Sequence, residues 1–268
     1  MQILQAGKHV LMEKPLAVSE EECQEMIDTA AGNGVRLLVG HTFLFNSSVA
    51  KVKDLIKSGS CGDMQYMYAK RTNLGPIRYD VSALWDLATH DISMFLDLAP
   101  ELEPEWVTCT GASLVPDSDL ADVVFVTLGF KDSSRVAHVH ASWMDPNKER
   151  EVVVVGNSSR IVFSDTEPIH PVTVYFKGSQ ELQKDAHTLK SNDPVFSPEY
   201  LTHARQGDVL KPEIEKVEPL GAQMTEFCTA IRDPSYLMRS DGHFGLKVVH
   251  ILNSAEASYN AGGSRVML

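Results

Sequence analysis

The chain has 268 residues, 43% hydrophobic and 22% charged, ordinary globular material long enough for one large core or two small ones. Its formal net charge of −12 leaves no basic excess to neutralise phosphates, which argues against nucleic-acid and anionic-membrane surfaces. Four widely spaced cysteines (Cys23, Cys61, Cys109, Cys228), no membrane-length apolar run and no signal-peptide pattern lead us to expect a soluble, cytoplasmic protein with reduced thiols.

In chain order, residues 9–42 read as one strand–helix–strand unit. His9 to Glu13 is a short buried strand, and Pro15 ends its pairing because proline has no N–H to donate. Ser19 caps a helix whose first turn carries Glu20, Glu21 and Glu22, suited to the positive end of the dipole. The helix stops at Gly32-Asn33-Gly34, and Val35 to His41 supplies a second buried strand, the pattern of a parallel sheet. Residues 47–59 then form an amphipathic helix, Met64 to Asn73 a strand, and Ala83 to Leu98 a helix closed by Pro100. Six strand-like runs between Glu105 and Phe176, separated by polar turns, predict an antiparallel meander. Residues 177–215 read as a polar, proline-punctuated excursion, and two helices close the chain, the last stopping at Gly262-Gly263.

Four sets of residues could carry chemistry. Lys14, at the end of a buried strand, is either a desolvated proton donor or a loop lysine in water. Asp86 and His90 are four apart on one helix face, so the carboxylate could orient the imidazole as a general base, or the two could form a solvent-facing pair. His138 and His140 share one sheet face and, with His90 and Asp91, would make a ligand set for a metal-dependent sugar hydrolase or isomerase. An oligomer interface explains the same two histidines without metal, and we expect none. Arg71, Arg78, Lys148 and Arg150 sit where loops could hold a ligand's carboxylate or diphosphate.

Taken in order, "EKP", "GHTFLFN" and "WDLATHD", together with "PLGAQMTEF" and "HFGLKVV" near the end, resemble the glucose–fructose oxidoreductase/inositol dehydrogenase (Gfo/Idh/MocA) family over the whole chain. The resemblance implies α/β plus α+β architecture: the C-terminal part of a Rossmann NAD(P)-binding domain in residues 1–42, then an open-faced, mainly antiparallel sheet domain with flanking helices in residues 43–268. It implies NAD(P)-dependent oxidation of a sugar hydroxyl, with Lys14, Asp86 and His90 catalytic and Glu13, Lys14, Pro15 and His41 at the cofactor. "RTNLGPIRYD" and "SWMDPNKERE" are similar to the subgroup acting at the 3-hydroxyl of UDP-N-acetylhexosamines or their uronates, making Arg71, Arg78, Asn147 and Lys148 candidate substrate contacts. No G-x-G-x-x-G turn occurs in the 268 residues. We therefore expect the first half of the cofactor domain, with its pyrophosphate-binding loop, to be missing, and activity to be impaired. A homodimer or homotetramer through the sheet face is expected, because few helices are available to cover both sides. The rival from another class is a non-catalytic assembly module built on that sheet.

Overall fold

A computed structural model describes residues 1–268 except 76, 77, 117, 132 and 178–206. The polar excursion expected at 177–215 therefore lies mostly outside the described residues.

The chain opens with a one-turn helix, α1 (Gln2–Gln5), which has no counterpart in the sequence reading. Strand β1 (Val10–Glu13) pairs in parallel with β2 (Leu37–Gly40), from Val10 opposite Leu37 to Glu13 opposite Gly40. Between them runs α2 (Glu20–Gly32), where Ser19 Oγ accepts from the Glu22 amide at 3.1 Å and satisfies one of the helix's orphan donors. Both strands end together, so Lys14 and His41 leave the sheet at the same carboxyl edge.

The chain next makes a 3₁₀ turn (Thr42–Phe45) and enters α3 (Ser47–Lys57), capped by Asn46, whose side chain accepts from the Ser48 amide at 2.8 Å. The long strand β3 (Met64–Leu74) follows. A π-helical turn (Leu84–Ala88) then runs into α4 (Thr89–Leu98). Six strands come next: β4 (Pro104–Ala112), β5 (Val123–Phe130), β6 (Val136–Ser142), β7 (Met144–Gly156), β8 (Ser159–Ser164) and β9 (Val172–Phe176). The short β10 (Val209–Leu210), helices α5 (Pro219–Arg232) and α6 (Gly242–Asn260), and β11 (Val266–Met267) complete the described chain.

The large sheet has the order β10-β9-β8-β7-β3-β6-β5-β4-β11. It is not a simple meander. Strand β3 sits in the middle, antiparallel to β7 but parallel to β6. Only Trp143 separates β6 from β7, and a hairpin between adjacent strands commonly needs two linking residues. The two strands therefore cannot be hydrogen-bonded neighbours, and β3 occupies the space between them. On either side of it, β4-β5-β6 and β7-β8-β9 are antiparallel as expected.

One face of this sheet is a continuous apolar layer. Met67 and Ala69 of β3 lie beside Ala137 and Val139 of β6 and Val154 and Val152 of β7, and all are buried. Helices α4 and α6 pack on this side, and α6 also contacts α2. One helix thus joins the two sheets into a shared core. Each large aliphatic side chain buried there contributes about 1.5–3 kcal/mol. The opposite face carries Tyr66, Tyr68, Lys70, Phe125, His138, His140, Arg160 and Tyr175.

Candidate active site

The site lies where the carboxyl edge of β1 and β2 meets the start of α4. Lys14 follows β1 directly, joined to Pro15 by a cis peptide bond. Its Nζ donates to the Asp86 carbonyl at 2.7 Å and to Asp86 Oδ1 at 3.0 Å. Arg78 reaches the same carboxylate oxygen, Nη1 to Oδ1 at 3.6 Å, while its other nitrogens hold Asp80. Asp86 is thus shared between two cations.

Asp86 does not bond His90. The expected α-helical pairing of residues four apart is altered because Asp86 sits in a π turn, where bonding from i to i+5 changes the angular spacing. His90 stands at the second position of α4, with Nδ1 buried and without a partner among the described residues. Its titration point is lowered well below the usual histidine value, first by burial and then by Arg71, Lys14, His41 and Arg150. At neutral pH the ring is therefore uncharged and holds a free lone pair.

His41, at the end of β2, is 1% exposed and neither ring nitrogen has a partner among the described residues. Burial, and then the Lys14 ammonium, push its titration point down to about 4. Its ring packs edge-on to Phe244 of α6. Glu13 is exposed at the strand end and Pro15 is half-buried.

The candidate substrate contacts divide. Arg78 belongs to the cluster. Arg71 is not a loop cation: it lies in β3, 4% exposed, and grips the fully buried Asp91 through Nε at 3.0 Å and Nη2 at 2.8 Å. Asp91 cannot stay charged in that interior without a cation beside it, so the guanidinium is not available to a ligand. Asn147 and Lys148 lie within β7 rather than in a loop, and both are exposed. The Asn147 amide donates to Glu149 at 2.6 Å, and neither residue touches the Lys14–Asp86 pair.

The metal set is not assembled. His138 and His140 align with Tyr68 and Lys70, whereas Arg71, which reaches Asp91, aligns with Ala141 on the other face. The sheet therefore separates the two halves of the proposed set. Among the described residues no three His, Cys, Asp or Glu side chains converge to hold a metal ion.

Sequence reasoning missed Phe43, which touches His90 (ring centroids 5.2 Å apart, 69° between planes), and it read Arg150 as a loop cation for a ligand rather than a charge acting on His90. The aromatic residue two places after His41 was the available signal for the first. For the second no local signal exists, because only the sheet register places Arg150 opposite Arg71.

The residues present fit the nicotinamide end of a dinucleotide. They offer the carboxyl edge of two parallel strands, an ammonium, and buried imidazole nitrogens with hydrogen-bonding capacity to spare. They include no glycine-rich turn for the pyrophosphate.

Comparison with known proteins identifies the family and the fold. A model of the oxidoreductase family with an NAD-binding Rossmann fold matches residues 1–41, and a model of the GFO/IDH/MocA C-terminal domain matches residues 49–162. An uncharacterized oxidoreductase of Streptococcus pneumoniae is 30% identical over 143 residues, 48% of this chain and 38% of its own length. UDP-N-acetylglucosamine 3-dehydrogenase of Acidithiobacillus ferrooxidans is 28% identical over 140 residues, 52% of this chain and 42% of its own length. The matches thus span less than half the length of these curated relatives. An inositol dehydrogenase homologue from Azotobacter vinelandii, solved with NADH and myo-inositol, superimposes on 100% of this chain and 73% of its own, with a TM-score of 0.78 at 20% identity. The two family models take up more than half of the 268 residues and the fold persists over the full length, so the chain belongs to the Gfo/Idh/MocA family of oxidoreductases.

Proposed function

We propose that the chain serves an NAD(P)-dependent dehydrogenase acting on a CH–OH group of a sugar or sugar nucleotide, with residues 1–42 on the cofactor side and 43–268 on the substrate side. The observation that carries this reading is Lys14 bonded to Asp86 beside a neutral His90, at the carboxyl edge of two parallel strands. His90 accepts the proton of the reacting hydroxyl. Lys14, held in place by Asp86, hydrogen-bonds the same oxygen and stabilises the negative charge that develops there. His41 and the half-buried Pro15 line the cofactor side and exclude water, and Glu13 lies at its exposed edge. When bound, NAD(P) supplies the hydride acceptor.

The 3-hydroxyl of a UDP-N-acetylhexosamine or its uronate is the substrate position we favour, supported by the similarity to a UDP-N-acetylglucosamine 3-dehydrogenase. Arg78 faces the substrate's anionic part, with Asn147 and Lys148 further out along the rim of β7. The cytoplasm suits the four free cysteines, and no helix among the described residues is long and apolar enough to cross a membrane. The open sheet face is the surface we assign to self-association.

The test is the pair of readouts on His90→Ala. With the chain joined to a Rossmann half that carries a glycine-rich turn, turnover of UDP-N-acetylglucosamine, followed as NADH formation, should fall at least about a hundredfold, the usual contribution of a positioned base. NADH affinity by calorimetry should stay within about twofold, a shift below 0.5 kcal/mol. A variant that keeps its turnover would remove His90 from the mechanism.

A further inference from the structure

Arg71 breaks a pattern. The other residues that β3 presents to the same face, Met67 and Ala69, are apolar and buried, and the β6 residue aligned with Arg71 is Ala141. An ion pair buried in such a layer adds little stability over an apolar pair of the same size, because desolvation of both charges offsets their attraction. What it does supply is fixed geometry. The planar guanidinium holds Asp91 in a forked contact, Nε to Oδ2 at 3.0 Å and Nη2 to Oδ1 at 2.8 Å.

Asp91 is the neighbour of His90, in the first turn of α4, so the fork pins the backbone that carries the imidazole. The same guanidinium lies over the ring of Phe43, its carbon 4.6 Å from the centroid. Phe43 in turn meets the His90 ring edge-on at 5.2 Å and is itself flanked by Phe163 at 6.5 Å. One cation thus reaches His90 by two routes, through the chain and through an aromatic ring.

We propose that Arg71 is a positioning residue for His90, fixing the first turn of α4 through Asp91 and backing Phe43, the ring against which the imidazole is set. The proposal rests on the reading in which His90 accepts the substrate proton, and it assigns Arg71 and Phe43 a part in that step without contact to the substrate.

The charge of Arg71 acts in the same sense as its position. Four elements bring ionisable groups toward His90: β3 with Arg71, the end of β1 with Lys14, the end of β2 with His41, and β7 with Arg150. All four lower its titration point, and after burial Arg71 is the largest of them. The carboxylates on the flanking turns are engaged elsewhere, Asp91 with Arg71 and Asp86 with Lys14 and Arg78.

An NMR pH titration of the histidine-labelled 268-residue chain tests this, with the His90 signal assigned by its loss in His90→Gln. Arg71→Met combined with Asp91→Leu replaces the ion pair by an apolar pair, leaving no buried charge unpaired. In that variant His90 should titrate at higher pH than in the wild type. Arg71→Lys keeps the charge and should keep the low midpoint, a rescue that packing alone would not give. Phe43→Leu should move the His90 ring-proton shifts as the neighbouring aromatic ring is lost. An unmoved midpoint in the double variant, an equal rise in Arg71→Lys, or unmoved ring shifts in Phe43→Leu would each overturn the proposal. The two single variants carry the test where the double variant does not fold. The readout needs neither substrate nor cofactor, so a failed dehydrogenase assay would sink the base reading while leaving this result standing.

Discussion

His41 is buried with both ring nitrogens unpartnered among the described residues, and burial beside Lys14 pushes its titration point down to about 4 from the 6.5 of an ordinary histidine. Between those values the unfolded chain holds the extra proton and the folded chain does not. Folding stability contributed by this ring is therefore present above pH 6.5 and lost as pH falls toward about 4, by up to about 1.4 kcal/mol per unit. His90, also lowered, acts in the same direction. Asp91, raised by burial against the pull of Arg71, acts in the opposite one, since its folded form takes up a proton more readily. Denaturant melts of the wild type should therefore lose stability between pH 7 and about pH 5, and His41→Phe, which keeps an aromatic ring against Phe244, should flatten that loss. An acid limb as steep in His41→Phe as in the wild type would show that the ring carries none of it. At this scale the ordered motifs made Lys14, Asp86 and His90 legible as candidates, because each sits in a short distinctive run. The partnerships among them were not legible. Asp86 meets Lys14 across 72 positions and Arg71 meets Asp91 across 20, and no periodicity reports such a contact.

Among the elements, β1, α2 and β2 were readable from local signals alone: two apolar runs, a serine cap and a Gly-Asn-Gly stop. The π turn was not, because its residues satisfy the same apolar pattern as an α-helix. Nor was the place of β3, since strand order depends on pairings between distant segments. Helix α6 shows how closely the elements fit. It approaches α2 and the small sheet through glycines: a Cβ at Gly242 would stand 2.7 Å from Ile27 Cγ1 of α2, and one at Gly245 2.8 Å from Val39 Cγ2 of β2. Gly245→Val should therefore destabilise the fold by about 1–3 kcal/mol through overpacking, despite the poor helix propensity of glycine. The added Val39→Ala change should recover part of that loss, because the two side chains compete for one space. Thermal denaturation of the four-membered cycle measures the coupling, and strictly additive losses would place the strain elsewhere.

For the whole molecule, the open face of the large sheet is the surface proposed for the meeting of two copies. Tyr66, Phe125 and Tyr175 on that face are 41%, 51% and 43% exposed. Around them Phe125 stacks on His140 at 4.5 Å and Arg160 donates to the Tyr68 hydroxyl at 2.9 Å, giving a broad surface of rings with a polar scatter. A second copy meeting this surface face to face would bury the same residues twice, as two-fold symmetry requires. Sedimentation at micromolar concentration should show dimers or larger species, and Tyr66→Glu with Phe125→Glu should return the chain to monomers with its fold intact. A wild type that stays monomeric would leave the aromatic face without that role. The sheet's open side could be anticipated from the small number of helices, whereas its aromatic character emerged only once the register had brought β3, β5 and β6 side by side.

The central position of β3 also bears on how the chain is made. Both of its ladders join it to strands that leave the ribosome much later: Met67 pairs with Ala137 on one side and with Val154 on the other. Until Ser142 has emerged this strand has neither neighbour, and its second edge stays open until Gly156 has followed. Closing the sheet is thus a late, long-range event, slow by the rule that distant contacts must first overcome loop entropy. In the meantime the newborn chain exposes a strand with two Met and two Tyr residues to any other unpaired edge it encounters, and synthesis in the absence of chaperones should favour aggregates nucleated there.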